Sequence, residues 1–229
     1  MKYYLDSANP ALIKECLEYY PIAGITTNPS IIAKEKKGYL SLLQELDVIL
    51  MGKDFHVQLT SEHYDGMIME ALMLKEHIKG NLFFKIPVSK DGLKAIRYLS
   101  SLGHQVTATA ITSLNQGVMA SLAGAKYLAI YVNRISNTGK DGVIVVEELA
   151  KVLRDSHLDT IILGASYKSV TQINESILHG CLAVTIPPDL FLPLIETQTT
   201  TLSIQKFTKD VLDTYGVTGV DLLKGGKVK

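Results

Sequence analysis

The sequence has few cysteines, no excess of charge and no long apolar run, and each absence narrows the class of protein. Its two cysteines, Cys16 and Cys181, lie far apart and form no CxxC pair, which favours reduced, buried thiols and a cytoplasmic protein. Lysine plus arginine and aspartate plus glutamate number 23 each, so bulk charge predicts no nucleic-acid partner. The segment MKYYLDSANP has no signal-peptide pattern, and no apolar run approaches the roughly 18 residues of a membrane span, so no membrane partner is expected.

Motifs of several enzyme classes are missing as well. The chain contains neither of the glycine-rich phosphate loops GxGxxG and GxxxxGKS/T, and it has no GxSxG nucleophile motif. Its histidines form no HxH or HExxH pattern, so we interpret them as helix or loop residues and expect no metal. They are His56, His63, His77, His104, His157 and His179.

Short apolar runs alternate with stretches of helical periodicity along the whole chain. The runs are almost continuously hydrophobic, which is typical of strands covered on both faces. Successive runs begin about 20 to 30 residues apart, enough for the helical crossover that parallel strands need. The predicted strands are 2–6, 23–27, 54–60, 81–88, 105–111, 127–132, 160–166 and 182–187.

Eight strand–helix units predict an α/β fold, the closed (β/α)8 TIM barrel, over the alternative of an open doubly wound sheet. An open sheet usually has a glycine-rich loop after its first strand, where this chain has LDSANP. Because no linker or low-complexity segment interrupts the pattern, residues 1–229 are interpreted as one domain. An apolar stripe predicts an additional C-terminal helix at 203–216, which caps the barrel or packs on another subunit, and 217–229 is interpreted as a tail.

Lys85 stands in the middle of the apolar run NLFFKIPV. A lysine is almost never fully buried without a partner, so this position needs an explanation. One interpretation is structural: the side chain reaches solvent or forms a buried salt bridge. The other is chemical: a Schiff-base lysine must be neutral to attack a carbonyl, and apolar neighbours disfavour its charged form. A barrel favours the second interpretation, because the lysine then stands near the active-site end of its strand.

Polar side chains also stand at or just after the ends of the other six of the first seven predicted strands, where the active site of a barrel lies. Each has a plainer interpretation: Asp6 as an acid at a helix N-terminus, Asn28 as a turn residue before Pro29, and the rest as loop residues. Together, Arg134 and Ser166 with helix N-terminal amides have the composition of a phosphate site. With Lys85, the candidates are Asp6, Thr26, Asn28, Gln58, Thr109, Tyr131, Arg134, Ser166 and Lys168.

The motifs YLDSAN, AGITTNPSIIAKE, FFKIPV, YVNRI and GASYK, with the spacing between them, resemble the small transaldolase/fructose-6-phosphate aldolase family from residue 1 to about 215. TTNPS together with KIP at this separation is a specific signal. The resemblance implies a (β/α)8 barrel and class I aldol chemistry, with Lys85 as the Schiff-base lysine. It also implies that no metal or organic cofactor is needed, and that the chain forms a homo-oligomer, a pentamer or a decamer.

By position, the resemblance assigns roles to further residues. Asp6 matches an aspartate that holds a hydroxyl of the donor substrate and assists proton movement. Asn28, with Thr26 beside it, matches an asparagine that hydrogen-bonds the donor. The implied phosphate-binding residues are Arg134 and Ser166, with Lys168 close enough to help.

Gln58, Thr109 and Tyr131 match three residues that position a catalytic water near the Schiff base. Transaldolases are expected to have glutamate in place of Gln58 and phenylalanine in place of Tyr131, so this pair resembles the aldolase branch. A phenol offers a proton donor beside the water, which helps to protonate the enamine and release a three-carbon ketone.

The resemblance therefore implies a class I aldolase that cleaves or forms fructose 6-phosphate, with dihydroxyacetone and glyceraldehyde 3-phosphate as the other substrates. The first alternative is a transaldolase of the pentose phosphate pathway, which transfers a dihydroxyacetone unit between sugar phosphates. The second is a barrel that binds sugar phosphates without turnover. A deoxyribose-phosphate-type aldolase fits less well, because its lysine is expected later in the chain.

Overall fold

Eight parallel strands pair in chain order and close into a barrel in the computed structural model, which describes residues 1–225. The strands are β1 (Lys2–Asp6), β2 (Gly24–Thr26), β3 (Asp54–Gln58), β4 (Asn81–Pro87), β5 (Gln105–Ile111), β6 (Tyr127–Tyr131), β7 (Ile161–Ala165) and β8 (Ala183–Ile186). Strand β1 pairs with both β2 and β8, and this closes the sheet on itself. The structure confirms the predicted (β/α)8 fold.

Helices connect the strands, and short polar side chains begin several of them. The helices are α1 (Pro10–Tyr19), α2 (Pro29–Lys34), α3 (Tyr39–Leu50), α4 (Tyr64–His77), α5 (Lys90–Ser101), α6 (Leu114–Leu122), α7 (Val132–Ser136), α8 (Gly142–Asp155), α9 (Val170–Leu178), α10 (Pro188–Ile195), α11 (Gln198–Tyr215) and α12 (Val220–Leu223). Helix α1 begins as its sequence predicts, with Pro10 in the first turn and the Asn9 carboxamide accepting two backbone N–H bonds. Ser89, Ser113 and Ser169 cap α5, α6 and α9 in the same way.

The middle of the barrel holds an apolar cluster with a histidine packed against it. The cluster consists of Tyr4, Phe83, Tyr127, Ala129, Leu163 and Ala183. The His56 ring on β3 stacks on the Phe83 ring with 4.4 Å between centroids, and its Nδ1 shares a 2.8 Å hydrogen bond with Oγ1 of Thr107. Burial lowers the pKa of His56 to about 3, so the imidazole is neutral and packs as an aromatic ring. The interpretation of every histidine as a helix or loop residue is therefore wrong for His56.

A carboxylate network closes the end of the barrel at which the strands begin. Asp54 accepts hydrogen bonds from the Tyr4 hydroxyl at 2.6 Å, the Lys2 amine at 2.9 Å and the Asn81 amide at 2.6 Å. Burial alone raises the pKa of Asp54, but the bonds from Tyr4 and Lys2 outweigh it and hold the pKa below its usual value. The charged groups at this end are thus paired with one another, so this end of the barrel has a structural role.

The chain forms two compact units, Met1–Leu190 and Phe191–Lys229. The first contains the barrel. In the second, α11 spans a range wider than the helix predicted at 203–216, begins at the N-cap Thr197 and ends at Gly216, whose φ of 76° suits glycine. No residue of α11 is buried. Residues 226–229 of the predicted tail lie outside the described residues, and the single-domain assignment remains a prediction.

Within residues 1–225, no helix has both the length and the apolar character needed to cross a membrane.

Candidate active site

Lys85 lies inside the barrel on β4, with 3% of its surface exposed. Its register partners on the neighbouring strands are Gln58 and Thr107. Its Nζ donates a 3.1 Å hydrogen bond to the carbonyl oxygen of Thr27, and within the described chain it forms no ion pair with a carboxylate. Neither structural interpretation of this lysine fits that environment, because the side chain neither reaches solvent nor forms a salt bridge.

A cavity of about 580 Å³ opens at the ends of the strands, and Lys85 lines it. Strands β1, β2, β4, β6, β7 and β8 or the segments that follow them contribute to its wall. From the predicted set, the cavity collects Asp6, Asn28, Lys85, Tyr131, Arg134, Ser166 and Lys168. Three predicted residues do not line this cavity: Thr26, Gln58 and Thr109. Each lies next to a residue that does, since Thr26 bonds to Asp6, Gln58 pairs with Lys85 and Thr109 bonds to Tyr131.

Thr26 links Asp6 to a threonine that the sequence analysis did not select. Its Oγ1 donates to Oδ1 of Asp6 at 2.7 Å and lies 2.7 Å from Oγ1 of Thr185 on β8. Since the Thr26 hydrogen is given to the carboxylate, Thr185 must donate to Thr26. This chain of hydroxyls fixes the orientation of Asp6 toward the cavity, and Thr185 is itself part of the wall.

Asn28 combines a structural role with a place in the cavity. It is the N-cap of α2, and its Oδ1 accepts a 3.0 Å hydrogen bond from the backbone N–H of Ile31. Pro29 follows at the first helical position, and Asn28 itself is extended, with φ −150° and ψ 164°. Because Oδ1 is engaged in capping, the Nδ2 amide remains as the donor that can bind an oxygen in the cavity.

The predicted water-binding trio is assembled in part. Oγ1 of Thr109 donates to the Tyr131 hydroxyl at 3.4 Å. A bulge on β5 between Ala108 and Ile111, with Ala110 at a φ of 59°, carries Thr109 at this point. Gln58 lines an adjoining cavity of about 410 Å³, and its buried Oε1 has no hydrogen-bond partner among the described residues. Gln58 thus supplies an unused acceptor on the strand next to Lys85.

Two cationic side chains lie at the rim of the cavity, one on the segment after β6 and one on the segment after β7. Arg134 lies on α7, its guanidinium carbon 4.5 Å from the centroid of the Tyr131 ring, and Lys168 follows β7. Ser166 has a φ of 64°, an unusual conformation for a residue other than glycine. The next residue, Tyr167, is buried, so the strained turn is anchored from within. The arrangement presents two cations and a hydroxyl toward one region, which suits an anionic group.

A comparison with protein-family models identifies the chain. Residues 3–222 match the model described as transaldolase/fructose-6-phosphate aldolase. The chain belongs to the transaldolase/fructose-6-phosphate aldolase family. It is accordingly an enzyme of the Schiff-base aldolase/transaldolase class, as the sequence motifs imply.

Two features of this family member were not selected from its sequence. Thr185 carries the same signal as Lys85, a polar residue in the apolar run LAVTIP, but a threonine is common in strands and so attracts less notice. The carbonyl of Thr27, which holds Lys85, is a backbone group and leaves no mark in the sequence. Among residues 1–225, no group of three or more His, Cys, Asp or Glu side chains is arranged to hold a metal ion.

Proposed function

We propose that the protein is a class I aldolase that cleaves or forms fructose 6-phosphate from dihydroxyacetone and glyceraldehyde 3-phosphate, with Lys85 as the Schiff-base residue. The observation that carries the proposal is the position of Lys85: its amine is buried, forms no ion pair with a carboxylate of residues 1–225 and lines a cavity at the ends of the strands. The amine is thus free of an ion pair and placed beside the space a substrate would fill, as the nucleophile that attacks a ketone must be.

In the cleavage direction, the amine of Lys85 adds to the C2 carbonyl of fructose 6-phosphate, and loss of water gives an iminium ion. Asp6 takes the proton of the C4 hydroxyl, and the electron pair of the C3–C4 bond moves into the iminium, which becomes an enamine. Glyceraldehyde 3-phosphate leaves. Because the iminium is the electron sink, the reaction needs neither a metal nor an organic cofactor.

The second half of the reaction returns the enzyme to its starting state. A water held by Gln58, Thr109 and Tyr131 gives a proton to C3 of the enamine and receives in its place the proton that Asp6 took from the C4 hydroxyl. Hydrolysis of the resulting iminium then releases dihydroxyacetone and the free amine. The contact between Thr109 and Tyr131 and the unused Oε1 of Gln58 support this assignment, since each is a group that can bind a water.

The phosphate group of the substrate is assigned to the cavity rim. Arg134 and Lys168 supply positive charge, and Ser166 supplies a hydroxyl. The hydroxyls of the three-carbon donor are assigned to Asn28 and to Asp6. Thr26 holds Asp6 in place through its hydrogen bond.

Borohydride trapping tests the covalent step. The protein is incubated with dihydroxyacetone or fructose 6-phosphate, reduced with sodium borohydride and digested, and the modified peptide is located by mass spectrometry. The expected result is one reduced adduct, on Lys85. An adduct on another lysine, or no adduct, would overturn the proposal and favour a barrel that binds sugar phosphates without turnover.

A transaldolase remains the second candidate, because the matched family includes both activities. It would use the same lysine and pass the three-carbon unit to an aldehyde acceptor such as erythrose 4-phosphate. The hydroxyl of Tyr131 beside Thr109 favours the aldolase, since it can help to protonate the enamine. Incubation with fructose 6-phosphate alone separates the two: steady release of dihydroxyacetone is expected of the aldolase, and release only after an acceptor is added is expected of the transaldolase.

We further propose that the protein acts in the cytoplasm as a homo-oligomer, a pentamer or a decamer. Large apolar side chains of α11, including Leu202, Phe207 and Leu212, are 45% to 64% exposed, which suits a helix that packs on another subunit. The two cysteines are free and buried, as expected in a reducing compartment. Sedimentation velocity of the full chain would measure the subunit number, and a monomer would refute the oligomer.

A further inference from the structure

Gln172 makes two hydrogen bonds that join two loops at the rim of the cavity. It lies in the first turn of α9, and its Oε1 accepts a 2.9 Å bond from the backbone N–H of Lys168. Its Nε2 donates a 3.0 Å bond to Oδ1 of Asn133 on α7. Asn133 is the immediate neighbour of Arg134, so the Gln172 side chain connects the loop that carries Arg134 with the loop that carries Ser166 and Lys168.

The orientation of this amide is determined by its surroundings. The backbone N–H of Lys168 can only donate, so the Gln172 oxygen must face it and the NH₂ group must face Asn133. Asn133 in turn must present its oxygen. The bridge is therefore directional, and a hydrocarbon side chain of equal length would remove both of its bonds.

Each of the two loops is anchored by buried residues, Val132 and Ile135 on α7 among them, while its charged side chain lies at the surface. Arg134 and Lys168 are exposed, and α7 is a helix of five residues. On the β7 side, the turn is anchored by the buried Tyr167, directly after the left-handed Ser166. The hydrogen bond between Gln172 and Asn133 runs directly from one segment to the other, so it bears on the separation of their charged groups.

We propose that Gln172 is a positioning residue that sets specificity for phosphorylated substrates. By tying Asn133 to the backbone of Lys168, it holds the two loops at the separation at which Arg134, Ser166 and Lys168 bind a single phosphate group. The inference rests on the proposed function, in which that group is the phosphate of the sugar.

Gln116 offers a matched control elsewhere in the same barrel. It occupies the same place in α6, three residues after the N-cap Ser113, and its Oε1 accepts a 2.9 Å bond from the backbone N–H of Thr112. Within residues 1–225, its amide makes hydrogen bonds only to its own loop. Replacing Gln116 therefore removes only bonds within its own loop, whereas replacing Gln172 removes a bond within its own loop and also the bridge.

The test compares Gln172→Met and Gln116→Met with the wild-type chain. For each, the concentration that gives half-maximal borohydride trapping is measured with fructose 6-phosphate and, separately, with dihydroxyacetone, which has no phosphate. For Gln172→Met we expect this concentration to rise about 2- to 10-fold for fructose 6-phosphate, the range for loss of one hydrogen bond, and to stay unchanged for dihydroxyacetone. Gln116→Met should leave both values unchanged.

A second variant tests the bond itself. Asn133→Leu should produce a shift of the same size as Gln172→Met, and the double variant should show the shift of one substitution and not the product of two. Equal shifts for both substrates, an equal effect of Gln116→Met, or independent effects of the two substitutions would each overturn the inference.

If the wild-type chain forms no adduct at all, the proposed function fails instead. Binding of inorganic phosphate to the same variants, measured by calorimetry, then tests the positioning role separately: weaker binding by Gln172→Met alone supports it, and equal binding overturns it.

Discussion

The Nζ atom of Lys85 lies 3.1 Å from the carbonyl oxygen of Thr27, and that carbonyl is itself held in place. The backbone N–H and the hydroxyl of Thr27 both bond to the carbonyl oxygen of His56, at 2.9 and 3.0 Å. A neutral acceptor fixes the direction of the amine without providing the opposite charge that would stabilise its protonated form. The backbone thus orients the lysine, and the amine stays available to react with a substrate.

Replacing Lys85 tests this arrangement most directly. We expect Lys85→Met to abolish the borohydride adduct and to lower kcat by at least roughly 10³-fold, because the covalent step is lost. Lys53→Met is the control: the Lys53 amine also donates to a backbone carbonyl, that of Ile22 at 3.0 Å, but it precedes β3 at the opposite end of the barrel. Aldolase assays should show normal activity for the control. Retained activity in Lys85→Met would contradict the mechanism.

Replacing Tyr131 by phenylalanine separates the hydroxyl from the ring. The ring that supports Arg134 remains, so the KM for fructose 6-phosphate should change little. Loss of the proton donor beside Thr109 should slow release of dihydroxyacetone about 10²-fold, while trapping of the adduct persists. Steady-state release assays with and without an aldehyde acceptor measure this. Unaltered release would show that the phenol takes no part in protonation.

Gly164 provides a prediction about stability. A Cβ at this position would overlap the phenol oxygen of Tyr167 and come within 3.0 Å of Sγ of Cys181. Gly164→Ala should therefore lower the free energy of unfolding by about 1 to 3 kcal/mol, as overpacking does. In a Tyr167→Phe background the cost should be smaller, because the overlapped oxygen is absent. Urea unfolding of the four chains gives the values, and equal costs in both backgrounds would rule out this contact as the cause.

The buried His56 predicts a dependence of stability on pH. Burial lowers its pKa to about 3 in the folded chain and outweighs the opposing effect of the Asp54 carboxylate, whereas an unfolded histidine titrates near pH 6.5. As the pH falls below about 6.5, the unfolded chain binds the proton first. The free energy of unfolding should therefore decrease between pH 7 and pH 5, by at most roughly 1 kcal/mol per unit from this residue.

A double variant isolates that contribution. His56→Phe with Thr107→Val removes the titrating ring and also the hydroxyl that would lose its partner. Its unfolding free energy, measured in urea at the same two pH values, should depend on pH less steeply than that of the wild type. An identical slope would mean that His56 contributes nothing in this range.

The strands were predictable because each is a short apolar run, but their ends were less so. The prediction extended the third strand to residue 60, whereas β3 ends at Gln58. The backbone N–H groups of Thr60 and Ser61 bond to the carboxylate of Glu70, so they are not available to the sheet. Helix α3 was not predicted; its N-cap is Gly38, which offers no capping side chain to signal the start of the helix.

Residues of the site could be found from the sequence where their chemistry conflicts with their surroundings. Lys85 is conspicuous because a charge in an apolar run is costly. Thr27 acts through a carbonyl that every residue has, and Gln172 looks like any polar residue on a helix. Their roles depend on which loops the fold brings together, and a single sequence does not contain that information in any local pattern.

The pairing of β1 with β8 has a consequence for how the molecule is made. Lys2 is the register neighbour of Ala183, so β1 cannot complete its pairing until β8 has been synthesised. For most of its synthesis the growing chain has an unsatisfied sheet edge, open to pairing with other nascent chains. Closure then joins β1 and β8, which are far apart in the sequence, and contacts of this kind form slowly. Assembly of this enzyme in the cell therefore depends on protecting an edge that the finished molecule no longer has.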